Sequence, residues 1–298
     1  MQLLQPDDYA VLGVVARYYV LRRSQVQTLC FPTHTSGRAT RRRVQRLKES
    51  GYLTRHSVPV AIPGSNGASP VFFVSKKGAE ALATYFDDAS FMATNTRSPR
   101  ADRLAHWIAV NDTRIIIEQA VAQSDSVELL SWVSEHEVIN KDDAKSQQFA
   151  LHTQLSDNPP LSCSPDAGFV LSTQGFHKVF YLEQDRGTSS PKQVAARKTK
   201  GYAELARRKG HRRHFPDTNV ARFSVLVVTN SNYRCTAIGD ELRTRDRGDL
   251  WLLINQQELT AQSFLGGNIV HDHKGETGPL IKGATTAAPV PAPTENVS

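Results

Sequence analysis

The chain has 298 residues, of which 39% are hydrophobic and 22% charged, and its formal net charge is +7. That length holds two domains and a tail, no run approaches the ~18 apolar residues of a membrane span, and the opening residues lack the basic and apolar regions of a signal peptide. Cys30, Cys163 and Cys235 are odd in number and far apart, which excludes a zinc pattern and a disulfide framework and sets the expectation of a reducing, cytoplasmic setting.

In chain order, Asp7 or Asp8 is expected to cap a helix running through Tyr9, Val11, Leu12 and Val15 to Tyr18 and Tyr19. Ser24 is expected to cap a shorter helix, Gln25 to Cys30, ended by Phe31 and Pro32. A third helix is predicted from Arg38 to Ser50, with Ala39, Val44 and Leu47 on its apolar side and Gly51 as its stop. Arg38, Arg41, Arg42, Arg43 and Arg46 cover the rest of it. A strand around Val58–Ile62, a polar tip from Pro63 to Pro70 and a returning strand Val71–Val74 follow. Ser75 then stands where it would cap another helix through Gly78 and Leu82.

Three helices, a hairpin and a closing helix in about eighty residues is the pattern of a winged helix-turn-helix. Its third helix is expected to enter the major groove of double-stranded DNA, since arginine suits bidentate contacts to guanine or phosphate. The plainer alternative is a solvated arginine face on a small bundle.

Polar residues 91–102 read as a linker. An amphipathic helix is predicted from Arg103 to Gln123, with Leu104, Trp107, Ile108, Ile115 and Val121 apolar. His106 and Asn111 lie on it, and single polar residues on such a helix are more often structural than catalytic. A strand is expected over Glu128–Val133, whereas 149–162 carries little pattern.

The best organised stretch runs from Ser164 to Tyr202. Pro165-Asp166 leads into the apolar run Gly168–Leu171, and a Gln174-Gly175 turn leads into Lys178–Leu182. Two paired strands are the reading, with Asp166, Glu183 and Asp185 converging at one sheet edge. Pro191 opens a helix bearing Lys192, Arg197, Lys198 and Lys200, with Tyr202 at its far end. Hard oxygen ligands beside a cationic helix are what a divalent metal and a phosphodiester need together. Farther on, Arg207, Arg208, Lys209, Arg212 and Arg213 are expected to meet phosphate. His211 and His214 have no acidic or cysteine partners nearby in sequence, and His271 and His273 fall in the expected tail. Buried strands are predicted at Arg222–Thr229 and Asp249–Ile254, with a short helix Ala237–Arg247 between them and a last strand at Ser263–Val270. From His271 onward the composition predicts disorder.

The order helix, strand, strand, strand, helix, strand, with Pro165-Asp166 on the second strand and acids ending the third, resembles the PD-(D/E)xK nuclease superfamily. Together with the N-terminal pattern, the chain resembles the replication-relaxation family of plasmid and mobile-element proteins over about residues 10 to 255. The residues that carry this are Val71–Ala79, the His106 and Asn111 helix, Ser131–Glu135, Ser164-Pro165-Asp166, and Leu182–Thr188 followed by Lys198 and Tyr202. The resemblance implies an α+β or α/β chain: a winged helix-turn-helix domain over 1–90, the linker 91–102, a restriction-endonuclease-like mixed-sheet domain over 103–270, and the tail 271–298. It also implies DNA binding in replication, relaxation or mobilisation, with double-stranded DNA and a relaxase or replication protein as partners and no membrane.

For the nuclease superfamily it implies hydrolysis of a phosphodiester with Mg2+ or Mn2+, held by Asp166 and Glu183, while a lysine positions the attacking water. Two residues after Glu183, where the superfamily has lysine, this chain has Asp185. Either Lys198, or next Lys200, supplies the amine from the following helix, or cleavage is lost and the domain only grips DNA. Asp185 is then an added metal ligand or the ion-pair partner of Arg186. Two further readings are an adaptor that recruits a relaxase and a tyrosine mechanism at Tyr202 or Tyr233. The latter lacks a surrounding arginine and histidine constellation.

Overall fold

Pro6 opens the first helix, α1 (Pro6–Tyr18), in a computed structural model that describes residues 3–34, 36–57, 70–94, 99–139 and 148–284. Asp7 and Asp8 are not its cap. Gln5 is, and Asp8, third in the helix, returns its carboxylate to the Gln5 N–H at 2.9 Å. Proline favours the first helical position because it has no N–H to satisfy, so the helix starts two or three residues early. A two-residue strand β1 (Leu21–Arg22) leads into α2 (Arg23–Cys30), again opened before the expected Ser24, with Gln25 Oε1 accepting the Arg22 N–H at 3.0 Å. The arginine-rich α3 (Arg38–Glu49) ends where expected, at Gly51 with φ +78°.

The chain then enters β2 (Leu53–His56), pairs it with β3 (Val71–Val74), and continues into α4 (Lys76–Phe86), whose cap Ser75 accepts the Gly78 N–H. The strand expected at Val58–Ile62 lies outside the described residues. The three strands form one antiparallel sheet in the order β1-β3-β2. A short α5 (Ser90–Thr94) occupies the start of the expected linker, and α6 (Leu104–Ala122) follows a 3-10 turn. The chain divides into two compact units, Met1–Ile115 and Ile116–Ser298. The division therefore falls inside α6 rather than in the polar segment before it. Within the first unit, the Asn111 amide donates to the carbonyls of Tyr18 and Val20, at 3.1 and 2.7 Å, around the positive-φ Tyr19. Those carbonyls leave the α1 end without helical partners, and Asn111 supplies them.

The second unit is built on a seven-stranded mixed sheet. Its strands are β4 (Val127–Ser134), β7 (Ala167–Thr173), β8 (Phe176–Gln184), β9 (Phe223–Thr229), β10 (Trp251–Asn255), β11 (Val270–His271) and β12 (Thr277–Gly278). A separate hairpin, β5 (Thr153–Asp157) and β6 (Pro160–Cys163), fills the stretch that showed little pattern. The order is β12-β11-β10-β9-β8-β7-β4: β8, β9 and β10 run parallel, and the remaining neighbours are antiparallel. Parallel neighbours need crossover segments. These are α7 (Pro191–Arg207) with the short α8 (His211–His214), and α9 (Asn232–Arg243). Tyr202 and Leu205 of α7 and Ile238 and Leu242 of α9 bury against Tyr181, Val225, Val227 and Leu253 of the sheet.

Three sequence expectations change here. The second crossover helix starts at Asn232, capped by Ser231, five residues before Ala237. Of the expected last strand only Val270 is extended, and β11 continues into His271, the first residue of the expected tail. Of the expected disordered tail, residues 271–284 are docked, with Leu280 and Ile281 buried and the Ile281 N–H donating to the Leu265 carbonyl, and 285–298 lie outside the described residues. Two apolar residues among Gly, Pro and Thr were enough to dock it, and composition averaged over the segment hides them.

Candidate functional site

Antiparallel pairing of Ala167 with Leu182 sets Asp166, just before β7, and Glu183, near the end of β8, at the same end of the sheet. Asp166 is locked to the neighbouring strand: its N–H donates to the Leu182 carbonyl at 3.1 Å, and its Oδ2 accepts the Gln184 N–H at 2.7 Å. Both carboxyl groups are buried, Asp166 at 8% and Glu183 at 7% exposure.

Helix α7 brings the cation. Ser190 and Gln193 form a reciprocal cap and Pro191 starts the helix, which fixes its phase. Lys198 and Tyr202, four residues apart and so on one face, both reach Glu183. The Lys198 ammonium donates to Oε1 at 2.9 Å and lies 2.7 Å from Oε2; the Tyr202 hydroxyl donates to Oε1 at 2.6 Å. Lys198 also donates to the Ser164 carbonyl at 3.3 Å. The helix can approach this closely because residue 201 is glycine: a Cβ there would stand 2.8 Å from the Ser162 carbonyl.

Burial pushes the Glu183 carboxyl up to about 7, and the nearby Asp166 adds to that, while Lys198 and Tyr202 pull it back. Burial also works against the Lys198 ammonium, but the Glu183 and Asp166 charges outweigh it and hold its pKa above the ordinary lysine value. Burial raises the Tyr202 phenol well above its ordinary value, with Glu183 contributing. Tyr202 is fully buried and donates to a carboxylate, an environment that opposes a tyrosinate nucleophile.

Asp185 is elsewhere engaged. Its ion-pair partner is Arg234 of α9, not Arg186. The Arg234 guanidinium donates to Oδ1 at 2.9 Å and pairs with Oδ2, and Thr229 donates to Oδ2 at 2.9 Å. Arg234 also donates to the Ser189 carbonyl at 2.6 Å, so it ties the segment between β8 and α7 to α9. The expected convergence of three carboxylates is thus a pair, Asp166 and Glu183, with Asp185 committed to an arginine 49 residues away.

Beside the pair lies an accessible group that sequence reading missed. His152 Nδ1 and Ser164 Oγ are 2.6 Å apart, and Arg213 donates to the His152 carbonyl at 2.7 Å and to Thr153 Oγ1 at 3.1 Å. Nothing in the spacing of 152, 164 and 213 signals this, because the β5–β6 hairpin creates it.

The basic residues divide by partner. On α3, Arg43 pairs with Asp7 and Asp8 at 2.8 and 2.9 Å, and Arg46 pairs with Asp8. Asp8 is 1% exposed. Burial raises its pKa, but the Gln5 N–H and the two guanidiniums outweigh that and hold it below the ordinary aspartate value. These two arginines hold α3 on α1. Arg38, Arg41 and Arg42 are exposed and have no acidic partner among the described residues. In the second unit Arg207 and Arg208 both pair with Glu204. Lys209 and Arg212 are exposed, and Arg213 is spent partly on the His152 carbonyl just before β5 and on the Thr153 hydroxyl. His211 and His214 are buried hydrogen-bonding groups. His211 Nε2 meets the Val220 carbonyl, and His214 sits between Thr153 and Tyr181.

No helix among the described residues is long and apolar enough to cross a membrane. A family model described as replication-relaxation matches residues 12–218. Neither a curated protein nor a solved structure matches the chain.

Proposed function

The chain belongs to the replication-relaxation family, and from that premise we propose that it is a DNA-binding protein of plasmid or mobile-element replication, relaxation or mobilisation, with a phosphodiester-cleaving site in its second unit. The observation that carries the reading is the Lys198 ammonium on both Glu183 oxygens, beside buried Asp166. It supports the view that the lysine missing from position 185 has moved to the next helix, which makes the second unit nuclease-like.

The donor set fits Mg2+ or Mn2+. Two carboxylates share a buried place, and the proximity of Asp166 already raises Glu183; hard cations take such oxygens. Asp166 and Glu183 would hold the ion, whereas Asp185, saturated by Arg234 and Thr229, is withdrawn as a ligand. A bound divalent ion supplies Lewis-acid stabilisation of phosphate charge and a more acidic water. Tyr202 orients Glu183, and Lys198 holds a fixed positive charge where a phosphate oxygen or an attacking water is to be placed. In the first unit, three helices and a three-stranded sheet support the winged-helix reading, with Arg38, Arg41 and Arg42 of α3 directed at duplex DNA. A relaxase or replication protein is the partner this role implies.

The test is nicking of supercoiled plasmid in Mg2+ or Mn2+. Cleavage by the wild-type chain, lost in Asp166→Ala, Glu183→Ala and Lys198→Met, supports the nuclease reading. One observation favours a second reading: Lys198 is occupied by Glu183, as in a structural ion pair. Duplex binding without cleavage in either metal would establish that non-catalytic factor instead.

A further inference from the structure

Between α2, α3 and β2 lies a notch of about 230 Å3 whose cations are Arg23, Arg41 and Arg55, with Val44, Gln45, Pro70 and Phe72 completing the wall. The fold places each arginine there for a local reason. Arg23 is the first residue of α2. Arg41 precedes the buried Val44 by three positions on α3 and so emerges on the same side. Arg55 lies two residues beyond buried Leu53 on β2, opposite Phe72, so strand alternation carries it along the core-facing side as that side leaves the core.

Among the described residues no carboxylate pairs with any of the three. The nearby acids are taken: Asp112 by Arg22 and Gln25, Asp7 and Asp8 by Arg43 and Arg46, and Glu49 by the Gln45 amide. Three like charges around one concavity repel, and an anion seated there reverses the sign of that interaction. Guanidinium forks match phosphate oxygens two at a time.

We propose that the notch binds a backbone phosphate of duplex DNA, with Arg23 and Arg55 joining Arg41 as contacts. The proposal rests on the DNA-binding reading of this unit, because the notch adjoins the arginine face of α3. Arg23 and Arg55 stand outside the 38–48 cluster, so charge clustering along the sequence does not reveal them.

The experiment measures affinity of the full chain for a generic duplex, in EDTA, from about 50 to 200 mM salt. Arg23→Gln and Arg55→Gln are each expected to weaken binding about tenfold, and the double variant to reduce the log–log salt slope by about one. Unchanged melting temperatures confirm folding, since neither side chain has an acidic partner among the described residues. An Arg38→Gln/Arg42→Gln variant is measured in parallel. If that variant loses affinity while Arg23→Gln/Arg55→Gln keeps wild-type affinity and slope, the notch is overturned and the DNA-binding reading stands. If the wild-type chain shows no salt-dependent binding, both fall. If inorganic phosphate stabilises the wild type but not the double variant, with duplex binding equal in both, the notch takes a free anion and the duplex assignment is wrong.

Discussion

Lys198 meets both carboxylate oxygens of Glu183, at 2.9 and 2.7 Å, from a helix that starts after the strand carrying Glu183 has ended. Removing the lysine leaves a buried carboxylate next to Asp166 with only Tyr202 to satisfy it. Lys198→Met is therefore expected to cost roughly 3 kcal/mol, the low end for a broken buried pair because the lysine is 34% exposed. The double variant Lys198→Met/Glu183→Gln should recover much of that loss, since no charge is then stranded. Chemical denaturation of the two variants checks this; equal stabilities would mean that the pair is not coupled.

Asp185 separates a structural acid from the site acids. Asp185→Ala strands Arg234, which is 13% exposed, and is expected to destabilise the second unit by about 2–3 kcal/mol. Plasmid nicking measured below the melting transition should persist in Asp185→Ala and vanish in Asp166→Ala. Loss in both would return Asp185 to the metal site.

Adjacent arginines on α3 should behave differently. Arg43→Gln removes two ion pairs to α1, one of them to buried Asp8, and is expected to lower the melting temperature by several degrees. Arg42→Gln touches no acid and should leave melting unchanged while weakening duplex binding. Thermal unfolding and binding isotherms on both variants decide the assignment.

His214 gives the pH dependence. Burial, with Arg213 and His211 adding to it, lowers its pKa from the ordinary 6.5 to about 3. Between those values the unfolded chain binds a proton that the folded chain does not. The His214 contribution is therefore complete above pH 6.5 and is lost as pH drops toward 3, by roughly a few kcal/mol. His214→Gln should melt lower than wild type at pH 7, having lost one of two ring hydrogen bonds, yet show a shallower decline from pH 6.5 to 4. An unchanged slope in that variant would contradict a neutral buried His214.

Gly201 sets how close α7 comes to β6. Gly201→Ala places a methyl 2.8 Å from a backbone carbonyl that cannot rotate away, so the helix must shift and carry Lys198 and Tyr202 with it. The expected cost is about 1–3 kcal/mol, with nicking reduced more than duplex binding. Equal reductions would show that the shift does not reach Glu183.

Where the sequence was legible, the signal was local. The Gln174-Gly175 turn, the Pro191 start of α7, the Ser75 cap and the Gly51 stop each depend on a few adjacent residues with a fixed conformational preference. The β5–β6 hairpin escaped because its strands, with Asn158-Pro159 between them, have polar faces and little alternation. The start of α9 escaped because Ser231 caps a first turn, Asn-Tyr-Arg-Cys, that has no apolar period. The docked 270–281 segment escaped because Leu280 and Ile281 are diluted by glycine and proline.

The sequence alone determined the α+β order of elements, the strand-end positions of Asp166 and Glu183, and the arginine face of α3. The tertiary structure decided which cation each acid received: Lys198 for Glu183, Arg234 for Asp185, Arg43 and Arg46 for Asp8. The physical reason is one of range. Capping and periodicity follow from neighbours a turn or a strand apart, whereas charge neutralisation depends on the register of strands and the packing of helices that bring residues as far as 90 positions apart, as in Arg22 with Asp112, into contact.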